Sequence, residues 1–236
     1  MVSVSSTGVV TAKTEGTANI IVSASGHAAL VSVKVTPRKV QFTDVPVSAW
    51  QASDIQWLAD NAISMGNGDG TFGFGKSLNR RDMAIFLYRL AKLNGDASAA
   101  SFKPSAADYA RFSDVKQGSF GATEVLWLAS KGVIKGFEDG SFRGDKSLNR
   151  QDSAIYLYRF AKVMGDASAS SFKPSAADYA RFSDVKQGSF GATEILWLTS
   201  VGIVKGNTDG TFRGGSNLTR EDMAVFLHRT HNHLNK

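Results

Sequence analysis

The pattern of apolar and polar residues along the chain returns every 70 residues. A Phe-x-Asp-Val segment stands at 42–45, 112–115 and 182–185, in its first copy with Thr and in the other two with Ser at the second position. Residues 101–124 are identical to residues 171–194. Three copies of one unit predict a repeat architecture, in which one copy cannot enclose a core and neighbouring copies together can.

Each copy is predicted to form a helix, a turn and a second helix. In the first copy, apolar residues follow the spacing of an amphipathic helix at Ile55, Leu58, Ala59, Ala62 and Ile63. A stretch rich in Gly and Asp at 66–72 favours a tight turn, which Phe72 can pin to the core. The second helix is predicted from Arg80, with an inward stripe of Met83, Phe86, Leu87 and Leu90.

The start of the second helix carries the same capping residues in each copy. Asn79 is suited to accept from free amide groups, and Asp82 is suited to a capping box and to the positive end of the helix dipole. Asn149 with Asp152, and Thr219 with Asp222, repeat the arrangement. We interpret these six residues as structural caps.

These elements predict a mainly α fold in which three helix-loop-helix repeats form a bundle around the long second helices. The predicted segments are repeat 1 at 42–93, a connector at 94–111, repeat 2 at 112–163, a connector at 164–181 and repeat 3 at 182–233. Both connectors are long for links between helices, and each contains Phe-Lys-Pro-Ser. We expect them to pack across the outside of the bundle and to link neighbouring repeats.

The first 37 residues differ in character from the repeats. They are rich in Val, Thr, Ser and Ala, with Gly at predicted turn positions, and they predict three or four short strands. Thr36-Pro37-Arg38-Lys39 favours a linker, which is predicted to occupy 38–41. A full β-sandwich needs about seven strands, so we expect these strands to be poorly ordered, to form a small sheet or to pair with another molecule.

Composition and charge exclude several classes of protein. The chain has no cysteine, which excludes disulfides and thiol chemistry. The net charge is +6, of which residues 1–40 carry +3, and no basic stripe or nucleic-acid-binding signature is present. No apolar run is long enough to span a membrane. The N-terminus lacks the blocks of a signal peptide, so an export signal is expected elsewhere in a longer parent chain.

The repeated motifs together resemble the S-layer homology family, in the variety found at the ends of actinobacterial surface proteins. The motifs are Phe-x-Asp-Val, an aromatic residue (Trp50, Phe120, Phe190), Asp-Gly-Thr/Ser-Phe, and [Asn/Thr]-Arg-x-Asp at the start of a helix. The resemblance covers about residues 42–233. The N-terminal segment is similar to the C-terminal half of a bacterial immunoglobulin-like domain of group 2.

The resemblance implies a pseudo-threefold bundle that binds secondary cell-wall polysaccharides, often pyruvylated, in grooves between repeats. It also implies that an arginine of a Thr-Arg-Ala-Glu motif contacts the carboxylate of the glycan. The matching positions are Arg80, Arg150 and Arg220. This chain departs from the family motif, since the acid is Asp and two copies have Asn in place of Thr. The aromatic position, usually Trp in the family, is Trp only at Trp50.

The candidate glycan-binding residues each have an alternative interpretation. The three arginines can bind an anionic sugar or form internal salt bridges with aspartates. Trp57, Trp127 and Trp197 can stack on a sugar or pack against the next repeat or a connector, and packing is favoured. The Asp-Gly turns are interpreted as plain turns rather than calcium loops. His228, His231 and His233 are expected to lie in a frayed, exposed terminus.

The sequence therefore predicts a non-catalytic, monomeric module on the cell surface of a Gram-positive bacterium, with no cofactor and no metal. No nucleophile–base pair, paired carboxylates or phosphate loop is present to support an enzyme. The expected partner is a cell-wall polysaccharide, with neither nucleic-acid binding nor membrane insertion. The alternative is a structural spacer or protein-interaction module that does not bind a glycan.

Overall fold

Two units make up the chain, Met1–Val40 and Gln41–Lys236, and the computed structural model describes residues 2–12, 16–35 and 42–236. The described part of the first unit contains four strands: β1 (Val2–Val4), β2 (Val10–Ala12), β3 (Gly16–Ala24) and β4 (His27–Val35). They form two separate antiparallel pairs, β1 with β2 and β3 with β4. The predicted linker at Thr36–Lys39 and 38–41 lies outside the described residues.

The second unit is helical. Its helices are α1 (Ala52–Asp60), α2 (Arg80–Leu93), α3 (Ala97–Ser101), α4 (Ala106–Tyr109), α5 (Ala122–Ser130), α6 (Arg150–Val163), α7 (Ala167–Ser171), α8 (Ala176–Tyr179), α9 (Ala192–Ser200) and α10 (Arg220–Leu234). Each repeat contributes one short helix (α1, α5, α9) and one long helix (α2, α6, α10). The predicted fold class, mainly α with three helix-loop-helix repeats, is confirmed.

The short helix of each repeat packs against the long helix of another repeat. Helix α5 packs on α2, α9 packs on α6, and α1 packs on α10. The last of these contacts joins the first repeat to the third, so the three repeats form a closed ring. The connector helices extend these contacts, because α3 packs on α2 while α4 packs on α5.

The three long helices start at a shared hub of backbone hydrogen bonds. The N–H of Leu78 donates to Leu218 (2.8 Å), that of Leu148 to Leu78 (2.8 Å), and that of Leu218 to Leu148 (2.9 Å). All three leucine side chains are fully buried or nearly so. Each buried leucine contributes about 1.5–3 kcal/mol. The hub therefore satisfies buried backbone groups and fixes the starting points of α2, α6 and α10 around one axis.

The aspartate of each Phe-x-Asp-Val segment fixes the turn between the two helices of its own repeat. The Asp44 carboxylate accepts the backbone N–H groups of Phe72 (2.7 Å), Gly73 (2.7 Å) and Phe74 (2.8 Å). Asp114 and Asp184 each accept two equivalent N–H groups. Although burial works to raise the pKa of Asp44, the backbone donors hold it below its ordinary value. This anchor sets where the turn meets the neighbouring repeat.

Candidate functional site

Three equivalent junctions, which we call grooves, lie where the start of one long helix meets the turn of another repeat. Arg80, Arg150 and Arg220 are the first residues of α2, α6 and α10. The Nε–H of each arginine donates to a phenylalanine carbonyl across the junction, at Phe142 (2.9 Å), Phe212 (3.0 Å) and Phe72 (2.8 Å) respectively. We name the grooves by these residues: the first groove holds Arg80, the second Arg150 and the third Arg220.

The first groove opens into a cavity of about 370 Å³. Arg80 is only 6% exposed. Its Nη2 also donates to the carbonyl of Lys135 (2.8 Å), and its guanidinium carbon lies 4.9 Å from the centre of the Phe137 ring. The cavity is lined by residues of all three repeats: Arg80, Lys135, Gly136, Phe137, Lys146, Ser147, Asn149, Asp152, Ile155, Tyr156, Arg159 and Phe190. A hollow with cations and aromatic rings on its walls is suited to an anionic ligand that also has apolar surface.

The second groove holds an arginine that is less engaged with its surroundings. Arg150 Nη2 is 3.4 Å from the Lys205 carbonyl, a longer contact than the one Arg80 makes in the first groove. Burial lowers the pKa of Arg150, as does repulsion by Arg213, while Asp222 opposes the change. Asp222 itself accepts from Gln51 Nε2 at 3.3 Å, so the nearby acid of this groove is held by repeat 1.

The third groove is closed by an ion pair. Arg220 is 7% exposed, and its Nη1 donates to the Asp82 carboxylate, whose side chain is mostly buried. The Arg220 guanidinium therefore has an internal anion already in place. The salt-bridge interpretation of these arginines thus describes Arg220, whereas Arg80 binds backbone carbonyls and faces a cavity.

The predicted capping residues lie at the helix starts, where the Asn or Thr caps the helix and the Asp has a different role. Asn79, Asn149 and Thr219 each accept the backbone N–H of the residue three positions later, at 2.7, 2.6 and 3.3 Å. Their partners do not return the bond in a capping box: Asp82 pairs with Arg220, Asp222 accepts from Gln51, and Asp152 lines the cavity of the first groove. The three acids therefore belong to the grooves more than to the caps.

The three aromatic residues that follow Phe-x-Asp-Val are exposed. Trp50, Phe120 and Phe190 are 64, 70 and 68% exposed. Phe190 lines the cavity of the first groove, and the Phe120 ring centre lies 5.8 Å from the guanidinium carbon of Arg81. An exposed ring beside a groove is available to stack on a sugar or another flat apolar surface.

Stacking of the helix tryptophans on a sugar is contradicted for two of them. Trp127 and Trp197 are 0 and 1% exposed, because their indoles fill the contact between a long helix and a connector. Trp127 packs edge-on against Tyr88 and its Nε1–H donates to Ser98 of the connector (3.4 Å). Trp57 is half-buried, and the ring of His228 stacks on it at 4.3 Å between centroids. The packing alternative describes these residues.

The expectation of a frayed C-terminus is also wrong. Helix α10 continues to Leu234, and its three histidines each have a partner in another repeat or a connector. Their ring nitrogens lie 2.6–2.7 Å from side-chain oxygens, pairing His228 with Asp54, His231 with Asn94, and His233 with Asp166. These contacts close the ring. Among the described residues, no three His, Asp or Glu side chains are placed to hold a metal ion.

Sequence reasoning missed two residues of the first groove. Phe137 stands where the other repeats have Asn67 and Asn207, and Tyr156 stands where they have Phe86 and Phe226. Both differences are visible when the three repeats are aligned, but only the structure places the two side chains in one cavity. The described part of the chain also contains no helix with the length and apolar character required to cross a membrane.

Comparison with known proteins matches the S-layer homology domain at residues 41–84, 111–154 and 181–224. An S-layer protein of Bacillus thuringiensis subsp. finitimus is 27% identical over 213 residues, covering 89% of this chain and 24% of that protein. A cellulosome-anchoring protein of Acetivibrio thermocellus is 24% identical over 162 residues, covering 68% of this chain and 33% of that protein.

One part of the chain is similar to the outer membrane protein SlpA of Thermus thermophilus. The two are 48% identical over 50 residues, which cover 21% of this chain and 6% of that protein. The chain thus spans no more than about a third of the length of these relatives. The three matched segments coincide with the three repeats and together make up more than half of the chain. The chain belongs to the S-layer homology domain family.

Proposed function

We propose that this chain is a non-catalytic module that attaches a larger protein to the bacterial cell surface by binding an anionic cell-wall polysaccharide in the grooves between repeats. The observation that carries the proposal is the first groove, where Arg80 opens into a cavity walled by further cations and by aromatic rings. Guanidinium groups match carboxylate or phosphate, and aromatic rings match the apolar faces of sugars.

The relatives support the proposed location. They include an S-layer protein, an outer membrane protein and a protein named for anchoring the cellulosome. The wall of a Gram-positive bacterium is the location we propose for this chain. Because one relative is an outer membrane protein of Thermus, the test must also include envelopes from Thermus.

Co-sedimentation with purified cell walls tests the proposal. Walls from a Gram-positive host and envelopes from Thermus are compared, each before and after hydrofluoric acid removes secondary polymers. We expect the wild-type chain to sediment with untreated Gram-positive walls and to remain in solution with stripped walls. Added salt is expected to weaken binding, because exposed charges are screened.

The matched variants separate groove binding from nonspecific charge. Replacing Arg80, Arg150 and Arg220 with Ala should weaken binding at least about tenfold, equivalent to 1.4 kcal/mol. The control variant has Ala in place of Arg111 and Arg181, which are exposed connector residues. This variant should bind like wild type. Circular dichroism must show that each variant is folded, since the groove arginines hold backbone carbonyls. A folded wild type that binds no wall would overturn the proposal and leave the spacer alternative.

A further inference from the structure

We infer that the first groove is the principal ligand site of this chain, and that the Tyr156 hydroxyl and Arg159 make it selective for an acidic saccharide. The inference rests on the proposed function and sharpens it, because it distinguishes among three grooves that the repeat makes equivalent in sequence position. It also names two residues that have no counterpart doing the same work in the other grooves.

The first step is the unpartnered hydroxyl on the floor of the cavity. Tyr156 is 4% exposed and lines the cavity; within the described residues its buried Oη makes no hydrogen bond, and nearby Arg80, which can only donate, offers no acceptor for the hydroxyl proton. Leaving such a group unsatisfied costs about 1–3 kcal/mol. The corresponding Phe86 and Phe226 carry no hydroxyl, so the fold at this position does not need one. A ligand oxygen that reaches Tyr156, directly or through one water, would satisfy it.

The hydroxyl remains protonated under all ordinary conditions. Burial raises the pKa of Tyr156 to about 12, against the opposing positive charge of nearby Arg80. The group is therefore a neutral donor at neutral pH, suited to a sugar hydroxyl, a ring oxygen or a carboxylate oxygen.

The second step concerns Arg159, which lacks the structural hydrogen bond that its counterparts in the other two repeats make. Arg89 and Arg229 each donate to a backbone carbonyl of their own repeat, Ile63 at 2.9 Å and Ile203 at 3.2 Å. In the described part of the chain, the equivalent Arg159 donates no such hydrogen bond to a carbonyl and forms no ion pair. It lines the cavity of the first groove instead. Its charge is thus available to a ligand.

The third step is the excess of positive charge around one aromatic ring. The cationic groups of Arg80 and Lys146 both lie 4.9 Å from the centre of the Phe137 ring, whereas Arg143, at 4.2 Å, is paired with Asp139. Arg80 and Lys146 thus concentrate positive charge on the wall of the cavity, which favours an anionic ligand. The cavity itself has four cations on its walls (Arg80, Lys135, Lys146, Arg159) and one acid, Asp152.

The third groove shows the contrasting arrangement. Its Arg220 is neutralised by Asp82, and Met65 and Asn67 stand where the first groove has Lys135 and Phe137. A ligand anion entering there would have to displace a buried ion pair, which is unfavourable. The same fold therefore carries one open basic groove and one that is internally paired.

The test uses Tyr156→Phe, which makes repeat 2 identical to repeats 1 and 3 at this position. Because it removes an unpaired buried hydroxyl, we expect the variant to unfold at the same or a higher temperature than wild type. In the same sample, affinity for untreated Gram-positive walls should fall about tenfold, equivalent to 1.4 kcal/mol. A residue with only a structural role would not lower binding while leaving or raising stability.

Two further variants complete the experiment. Arg159→Gln should weaken wall binding by a similar factor, whereas Arg89→Gln, at the matching position of repeat 1, should leave it within about twofold of wild type. If Tyr156→Phe and Arg159→Gln both bind like wild type while the triple groove-arginine variant does not, the first-groove assignment is overturned and the proposed function stands. If folded wild type binds no wall, both fail.

Discussion

At the scale of single residues, a left-handed backbone position shows how one repeat departs from the other two. Ala62 has φ of 55°, and the matching residues are Gly132 and Gly202, with φ of 71° and 78°. A side chain in this region costs about 1–2 kcal/mol, which glycine avoids. Ala62 is exposed, so its methyl group contributes little packing in return.

We predict that Ala62→Gly raises the free energy of unfolding by about 0.5–1 kcal/mol, since relief of strain exceeds the added freedom of the unfolded chain. Urea denaturation followed by circular dichroism measures the change. Gly132→Ala is the reverse substitution, and a Cβ there would meet no atom within 4 Å. It should therefore destabilise the protein by about 1 kcal/mol. Equal stability of both variants and wild type would refute the strain argument.

The Asp44 anchor gives a second residue-level prediction. Asp44→Asn should lower the free energy of unfolding at pH 7 by about 2 kcal/mol, because an amide cannot accept three N–H groups as a carboxylate does. The folded-state pKa of Asp44 lies below its ordinary value, so its stabilisation is present above about pH 4 and is lost as pH falls through the folded-state pKa. The difference between variant and wild type should accordingly shrink below about pH 4.

The control for this prediction is Asp60→Asn, at an exposed position of the same repeat. That change should alter stability by no more than about 0.5 kcal/mol at any pH. A difference between Asp44→Asn and wild type that stays constant down to pH 2 would show that the carboxylate charge is not what anchors the turn.

At the scale of elements, the hydrophobic pattern predicted the helices better than it predicted their partners. The stripe through Met83 and Leu87 correctly indicated a buried helix, and the family assignment of the three repeats is confirmed. A stripe shows that a face is buried and does not show against which copy it is buried. The packing of α1 on α10 is a tertiary fact of this kind, whereas the packing of Trp127 against a connector agrees with the alternative that the sequence favoured.

The candidate site divides in the same way. Position within the repeat placed Arg80, Arg150 and Arg220 at equivalent junctions, and the sequence did not show which groups each arginine meets across its junction. The arginines differ in the groups that they meet across the junction. Arg80 meets backbone carbonyls and the Phe137 ring, and Arg220 meets a carboxylate. The binding roles of these residues stay predictions, as does the likeness of the N-terminal segment to an immunoglobulin-like domain.

The contact between α10 and the first repeat is predicted to depend on pH. Burial, and then repulsion by His228, lower the pKa of His231 from its ordinary value. Because the folded state resists protonation of His231, its contribution to stability is present above about pH 6.5 and is lost as pH falls through the folded-state pKa. His231→Gln removes this dependence, so the advantage of wild type over the variant should decline between pH 7 and pH 5. An advantage that grows on acidification would refute the sign.

At the scale of the whole molecule, ring closure distinguishes these repeats from a linear array. In a linear array each repeat contacts only its neighbours, and an end can fray without the rest. Here the third repeat holds the first through buried Glu221, which accepts the N–H of Gly75 (3.0 Å), and through the Arg220–Asp82 ion pair. The hub at Leu78, Leu148 and Leu218 joins all three helices at one point. Loss of any one repeat therefore removes packing from the other two.

Residues 42–236 are accordingly predicted to unfold as one cooperative unit. Hydrogen exchange with mass spectrometry tests this, using Asp44→Asn as a perturbation confined to repeat 1. If unfolding is global, the slowest amides of α6 and α9 in the other repeats should exchange faster by the same factor as those of α2, about thirtyfold for a loss of about 2 kcal/mol. Acceleration limited to α1 and α2 would show that the repeats unfold separately and that closing the ring does not couple them. Uniform acceleration would instead mean that a groove between two repeats is held in shape by all three, since the same closure that stabilises the hub fixes both walls of each groove.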